Sequence, residues 1–174
     1  MTKSKYLLLD ANIVIEAHEQ NFWQAILNQF RVALPSIVFH DEAKYFHSRL
    51  TVAAIDLVTP KAQGKLVVLE ASVTDFAAVK GCLKDDFFNS IDPGELEAIA
   101  LLRSGNFNDY RFCSGDQLAN KSFGVMDLGS FCISLEDVMK QMGRAAKLPP
   151  HYSSKRLRQL LAEAVTEKSL YRIK

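Results

Sequence analysis

The chain has 174 residues, 48% of them hydrophobic and 24% charged, which suffices for the core of one ordinary domain and rules out a disordered chain. Its 21 Lys and Arg nearly balance 20 Asp and Glu, so a wholly basic nucleic-acid coat protein and a wholly acidic chain are both excluded. Cys82, Cys113 and Cys132 are odd in number and lack CxxC spacing, which disfavours a zinc ribbon or a complete disulfide framework and favours reduced, buried thiols.

The opening MTKSKYLLLDAN has only four apolar residues in a row after its lysines, too few for a signal peptide. No apolar run approaches the roughly 20 residues of a membrane span. The expectation is a soluble, cytoplasmic protein with no membrane contact. YLLL (6–9) predicts a short strand buried on both faces and ending abruptly at Asp10. NIVIEAHE and FWQAILNQF predict helices, the second with Phe22, Ile26, Leu27 and Phe30 on one side and Trp23 in the core. VALP (32–35) predicts a second strand, with Pro35 opening a helix through DEAKYF. LVVLE (66–70) predicts a third strand, and Ser72 with Asp75 three residues later predicts a capped helix. Asp92 and Pro93 mark the best-signalled helix start, before Ile99, Leu101 and Leu102. RFCS (111–114) predicts a fourth strand, Asp116 a short helix to about Asn120, and Gly124-Val125-Met126 the start of a fifth strand. LEDVMKQMG predicts a helix closed at Gly143. This alternation predicts an α/β fold: three layers, α/β/α, around a central parallel sheet of four to five strands, plus a C-terminal helix.

Charge divides the chain. Residues 1–143 hold 13 Lys and Arg against 18 Asp and Glu, whereas residues 144–174 hold 8 against 2. We therefore divide it into a body, 1–143, and a basic helical extension, 144–174, whose helix starts near Ser153 or Ser154, after Pro149-Pro150. Leu157, Leu160, Leu161, Ala164 and Val165 form one stripe on that extension, which predicts docking on the body or on a second subunit. The alternative is a clamp on a polyanion or on the body's own acidic surface.

In an open parallel sheet, functional groups gather beyond the carboxyl ends of the strands. Asp10 and Asp116 follow the first and fourth strands there, and Glu42 and Glu95 lie near helix starts. Four carboxylates in one crevice would repel one another and call for a hard divalent cation, Mg²⁺ or Mn²⁺. Such an ion can activate water and hold a phosphodiester oxygen, the chemistry of a nuclease. Each acid also has a purely structural role open to it. Asp92-x-x-Glu95 and Ser114-x-x-Gln117 both fit capping boxes, and Glu42, between Asp41 and Lys44, fits a solvated helix face. Asp10 has the weakest structural alternative, because Asn12 could cap the following helix by itself. His40 and His47 lack metal-site spacing, and Asn12 stands where an aspartyl phosphatase would want a second acid. No Walker A loop or GxGxxG fingerprint occurs.

LLLDANIVIE, PSIVFHDEAKYF, DPGELEAIALL and FCSGDQLA occur in that order, and together they resemble a PIN domain from about Tyr6 to about Ile133. The resemblance implies a small metal-dependent ribonuclease, a phosphodiester hydrolase. Asp10, Glu42, Glu95 and Asp116 would be its catalytic and metal-holding acids, Asn12 and Ser114 its supporting polar residues, and Mg²⁺ or Mn²⁺ its cofactor. It implies an RNA substrate and, most often, the toxin half of a toxin–antitoxin pair, with a protein inhibitor and a homodimer. Three departures stand out: Gly115 where many members carry a further acid, an HDEA segment in which either Asp41 or Glu42 could face the site, and the long basic tail. The rival expectation is a non-catalytic PIN-like module that docks a protein or RNA partner.

Overall fold

The computed structural model describes residues 6–145 and 147–173; the first residues of the chain, on which the leader reading partly rests, lie outside them. Four parallel strands form the central sheet: β1 (Tyr6–Leu9), β2 (Arg31–Pro35), β5 (Leu66–Leu69) and β6 (Tyr110–Cys113), in the order β5-β2-β1-β6. Period-two alternation sends neighbouring side chains to opposite layers. Leu7, Leu9, Val32 and Leu34 enter one core with α1 (Ala11–Glu19), α2 (Trp23–Gln29) and α8 (Leu135–Gln141). Leu8, Ala33 and Phe112 enter the other, with α4 (Val73–Lys80), α6 (Pro93–Arg103) and α7 (Gln117–Val125). The fold is thus α/β, a parallel sheet between two helical layers, with a C-terminal helix.

Local chemistry explains most boundaries. Ser72 and Asp75 form the complete capping box expected of them. Pro93 takes the first turn of α6, whose residues from Gly94 to Leu102 are all buried. Trp23 is buried in the core.

Elsewhere the chain departs from expectation. Gly124 and Val125 end α7 instead of forming a fifth strand, because the apolar stripe of that helix continues through Phe123 into the core. Among the described residues, an isolated parallel bridge between Phe112 and Cys132 is all that extends the sheet on that side. Pro35 ends β2 rather than opening a long helix; a π-helical turn (Val38–Glu42) follows, and Tyr45–His47 pairs as β3 with β4 (Val52–Ala54) in an antiparallel ribbon. Two short helices, α3 (Val58–Ala62) and α5 (Asp85–Ser90), flank β5 and α4 in the chain.

The extension folds as α9 (Ser154–Tyr171), capped by Ser153, and packs along α7. Leu157, Leu160 and Ala164 are buried, whereas Val165, at the edge of the stripe, is 68% exposed. Its far end is pinned as well. Lys168 and Arg172 pair with Asp127, the Tyr171 ring stacks on Phe87, and Lys84 N–H donates to the Tyr171 carbonyl at 2.9 Å. The tail therefore docks on the body and neutralises part of its acidic surface. Removal of residues 144–174 should lower the melting temperature, since it exposes the α7 face that α9 covers; an unchanged melting temperature on truncation would contradict this packing. Leu160→Ala alone should cost about 2–4 kcal/mol in urea denaturation.

Candidate functional site

The sheet order places a switch point between β1 and β6: β1 connects outward to β2 on one side, and the chain later returns to β6 on the other. The carboxyl ends of these strands are where side chains from separate connections meet. Asp10 lies there, 4% exposed, its amide donating to the Cys113 carbonyl at 3.1 Å and so extending the ladder by one residue.

Asp10 caps α1 itself. Its Oδ1 accepts from the Ala11 amide at 2.7 Å, and its Oδ2 accepts from Asn12 Nδ2 and Ser114 Oγ, each at 2.6 Å. Asn12 is therefore not the helix cap; its Oδ1 accepts instead from the Gly115 amide at 3.0 Å, tying the two strand ends together. Burial pushes the Asp10 carboxyl up to about 6, against the pull of Ser114 and Ala11, and the charges of Glu42 and Asp116 raise it further.

Glu95 is 4% exposed on the first turn of α6. Burial pushes its carboxyl up to about 9, with added repulsion from Asp10, Asp116 and Asp92; the Asp92 amide pulls the other way. The capping box expected here is incomplete, because the Asp92 side chain makes no cap bond. Asp116 caps α7 by accepting from the Ala119 amide at 2.9 Å, the place expected for Ser114, and is itself exposed. Ser114 Oγ accepts from the Asp116 amide at 3.0 Å, so one hydroxyl couples both aspartates.

Between Asp41 and Glu42, it is Glu42 that turns inward. Its Oε1 accepts from the Gly94 amide at 3.1 Å, while Asp41 is exposed. Burial raises the Glu42 carboxyl, the Gly94 bond opposes this, and the charges of Asp92, Asp41 and Glu97 add to the rise. Gly94 allows the approach: a Cβ there would overlap the Glu42 carboxylate and lie 2.8 Å from Val38 Cγ2. Gly94→Ala should therefore destabilise the protein by about 1–3 kcal/mol in urea titration and release the Glu42 contact; a neutral substitution would mean that Glu42 is free to move.

Three supporting residues were not foreseen. Glu97, 1% exposed, accepts from Ser36 Oγ and the Ile37 amide at 2.8 Å and from the Ala71 amide at 3.2 Å, joining the ends of β2 and β5 to α6. Its sequence signal is an acid near the start of an otherwise apolar stretch, LEAIALL. Asn120, also buried, donates to the carbonyls of Ser114 and Asp116 and fixes the β6–α7 turn. Tyr152 lies against Gly115, where a Cβ would overlap its ring, and its hydroxyl donates to Glu16 at 3.4 Å. The absent acid at Gly115 thus has a steric counterpart. Gly115→Asp should destabilise the fold, and Tyr152→Ala should recover part of that loss in the double variant; additive losses in thermal melts would contradict the contact.

Asp10, Glu42, Glu95 and Asp116 are electrostatically linked through Asp10, and no Lys, Arg or His forms a salt bridge with any of them among the described residues. The donor set is all oxygen and has no cationic side chain bridged to it among the described residues, which suits a hard divalent cation. As the side chains stand, no group of three or more His, Cys, Asp or Glu among the described residues is gathered closely enough to hold one. Asp10 Oδ1, with a single donor, retains capacity for a further partner.

No protein-family model, curated protein or solved structure matches the chain. What it does has to be argued from this site. Among the described residues, no helix is long and apolar enough to cross a membrane. His40 and His47 are both exposed, outside the acid cluster. Cys113 and Cys132 are held as thiols by burial, which raises both well above the usual thiol range.

Proposed function

We propose that the protein is a metal-dependent endoribonuclease that hydrolyses phosphodiester bonds at the acid cluster. The observation that carries this reading is the pair of buried carboxyls, Asp10 and Glu95, at the switch point of a parallel sheet, with no salt-bridge partner among the described residues. A fold has no structural need to bury Glu95 with one opposing hydrogen bond and three neighbouring negative charges; a cation-binding site has.

Asp10, Glu95 and Asp116 would hold Mg²⁺ or Mn²⁺, with Glu42 ligating directly or through water. When bound, the ion supplies charge stabilisation at a phosphodiester oxygen and lowers the pKa of water. The protein's own contribution is orientation. Asn12 and Ser114 fix the Asp10 carboxylate from one side, and the Ala11 amide fixes it from the other. The Gly94 amide aims Glu42, and the α7 cap holds Asp116 at the mouth. A toxin role, a protein inhibitor and a homodimer rest on the PIN resemblance alone.

The test is cleavage of a structured RNA by purified protein with Mn²⁺, abolished by EDTA and retained when Cys82, Cys113 and Cys132 are all replaced by Ala. Cleavage that survives chelation would overturn the metal reading. The N-cap bonds of Asp10 and Asp116 favour a second reading, a non-catalytic binding module in which these acids serve the fold. Absence of any Mn²⁺ binding by calorimetry would select it.

A further inference from the structure

A cleft of about 400 Å³ opens between the first turn of α7 and the start of α9, lined by Gln117, His151, Lys155, Arg156 and Gln159 among others. Its lining carries cationic and neutral polar groups and no carboxylate. Gln117 directly follows Asp116, so the cleft begins where the acid cluster ends. The two are joined on the other side by Tyr152, which packs on Gly115 and lies between His151 and Ser153.

The cations here differ from those at the far end of α9. Lys168 and Arg172 are consumed by Asp127. Arg156 donates to Gln117 Oε1 at 2.6 Å and lies 3.7 Å from Glu163, so its guanidinium is held at the cleft wall with its charge only partly matched. Lys155 is exposed and forms no salt bridge among the described residues. A polyanion approaching the uncompensated carboxylates meets repulsion, and a neighbouring row of cations on the same rim offsets it.

We propose that His151, Lys155 and Arg156, with Gln117, form the seat for the phosphate backbone of a single-stranded RNA whose chain runs on to the acid cluster. The proposal rests on the nuclease reading for its direction of approach, but the seat binds without metal and without cleavage. The docked extension then does more than cover α7, because α9 brings to the site the positive charge that the acidic body lacks.

The experiment measures binding of a fluorescently labelled 12-nucleotide oligouridylate in EDTA, across a range of salt concentrations. Lys155→Glu should weaken binding about tenfold at low salt and make the dependence of log K on log salt shallower by about 0.7, one phosphate contact. Lys65→Glu changes the net charge equally at the amino end of β5, opposite the site, and should leave affinity within about twofold. Lys155→Ala should fall between wild type and Lys155→Glu, and thermal melts should show all three variants folded. Equal losses for Lys155→Glu and Lys65→Glu would overturn the seat, as would a wild-type protein that does not bind the oligonucleotide. Binding that is lost on Lys155→Glu, in a wild-type protein that cuts no RNA with Mn²⁺, would uphold the seat and reject the nuclease reading.

Discussion

Glu95→Gln should stabilise the metal-free protein at pH 8 by about 2 kcal/mol or more, with the gain vanishing near pH 4. The Glu95 carboxyl sits at about 9 in the folded chain against an ordinary value of 4.5. Below 4.5 it carries a proton in both states and costs nothing. As pH rises from 4.5 towards 9, the unfolded chain releases that proton and the folded chain keeps it, so stability falls steadily. Glutamine has no proton to release and stays level. Asp10 acts in the same direction over a narrower window, from 3.8 to about 6. Urea denaturation in EDTA at pH 4.5, 6 and 8 would display the widening gap. Millimolar Mn²⁺ should then raise the melting temperature of wild type and do little for the variant, because a ligand stabilises by binding the folded state alone. A variant less stable than wild type at pH 8 would show that Glu95 is structurally satisfied.

The α/β/α architecture was legible because three of the parallel strands contain short apolar runs that end at a polar residue: YLLL at Asp10, VALP at Ser36 and LVVL at Glu70. Most side chains of such runs are buried on both faces of the sheet, and the helices between them supply the cover. The ribbon of Tyr45–His47 and Val52–Ala54 was illegible for the opposite reason. Its strands are three residues long and its members lie half-buried or exposed, so no periodic signal accumulates. The helix expected through DEAKYF failed at Ala43, which the π-helical turn drives into the core with a φ of −89° and ψ of 62°.

The site was legible in its acids and not in their supports. Strand ends pointed to Asp10 and Asp116, and the Asp92-Pro93 helix start pointed to Glu95. Which residue caps which helix was decided by tertiary geometry. Ser114 could have capped α7 locally, yet its hydroxyl faces Asp10, 104 positions away, and Asp116 takes the cap. The same holds for Tyr152, whose place on Gly115 depends on α9 docking and carries no local signal.

Asp10→Asn should behave unlike Glu95→Gln, because donors converge on Asp10 and do not on Glu95. The Oδ1 of the new amide would still accept from the Ala11 amide. Its nitrogen, however, would replace the oxygen that now receives Asn12 Nδ2 and Ser114 Oγ. Asn12 Nδ2 cannot accept, and Ser114 Oγ already accepts from Asn12 at 3.2 Å and from the Asp116 amide at 3.0 Å. One buried donor is left unpaired, and Asn12 is pushed off the Gly115 amide that it accepts from. The variant should lose about 1–2 kcal/mol at pH 3.5, where the wild-type carboxyl is mostly protonated in both the folded and the unfolded chain and charge contributes little. The deficit should narrow by pH 8, since wild type loses stability as pH rises from 3.8 to about 6 while the amide does not. RNA cleavage with Mn²⁺ should be lost at pH 8. A deficit that widens with pH would mean that the Asp10 charge stabilises the fold. The carboxylate would then be a helix cap first, and its place in a cation site would fall.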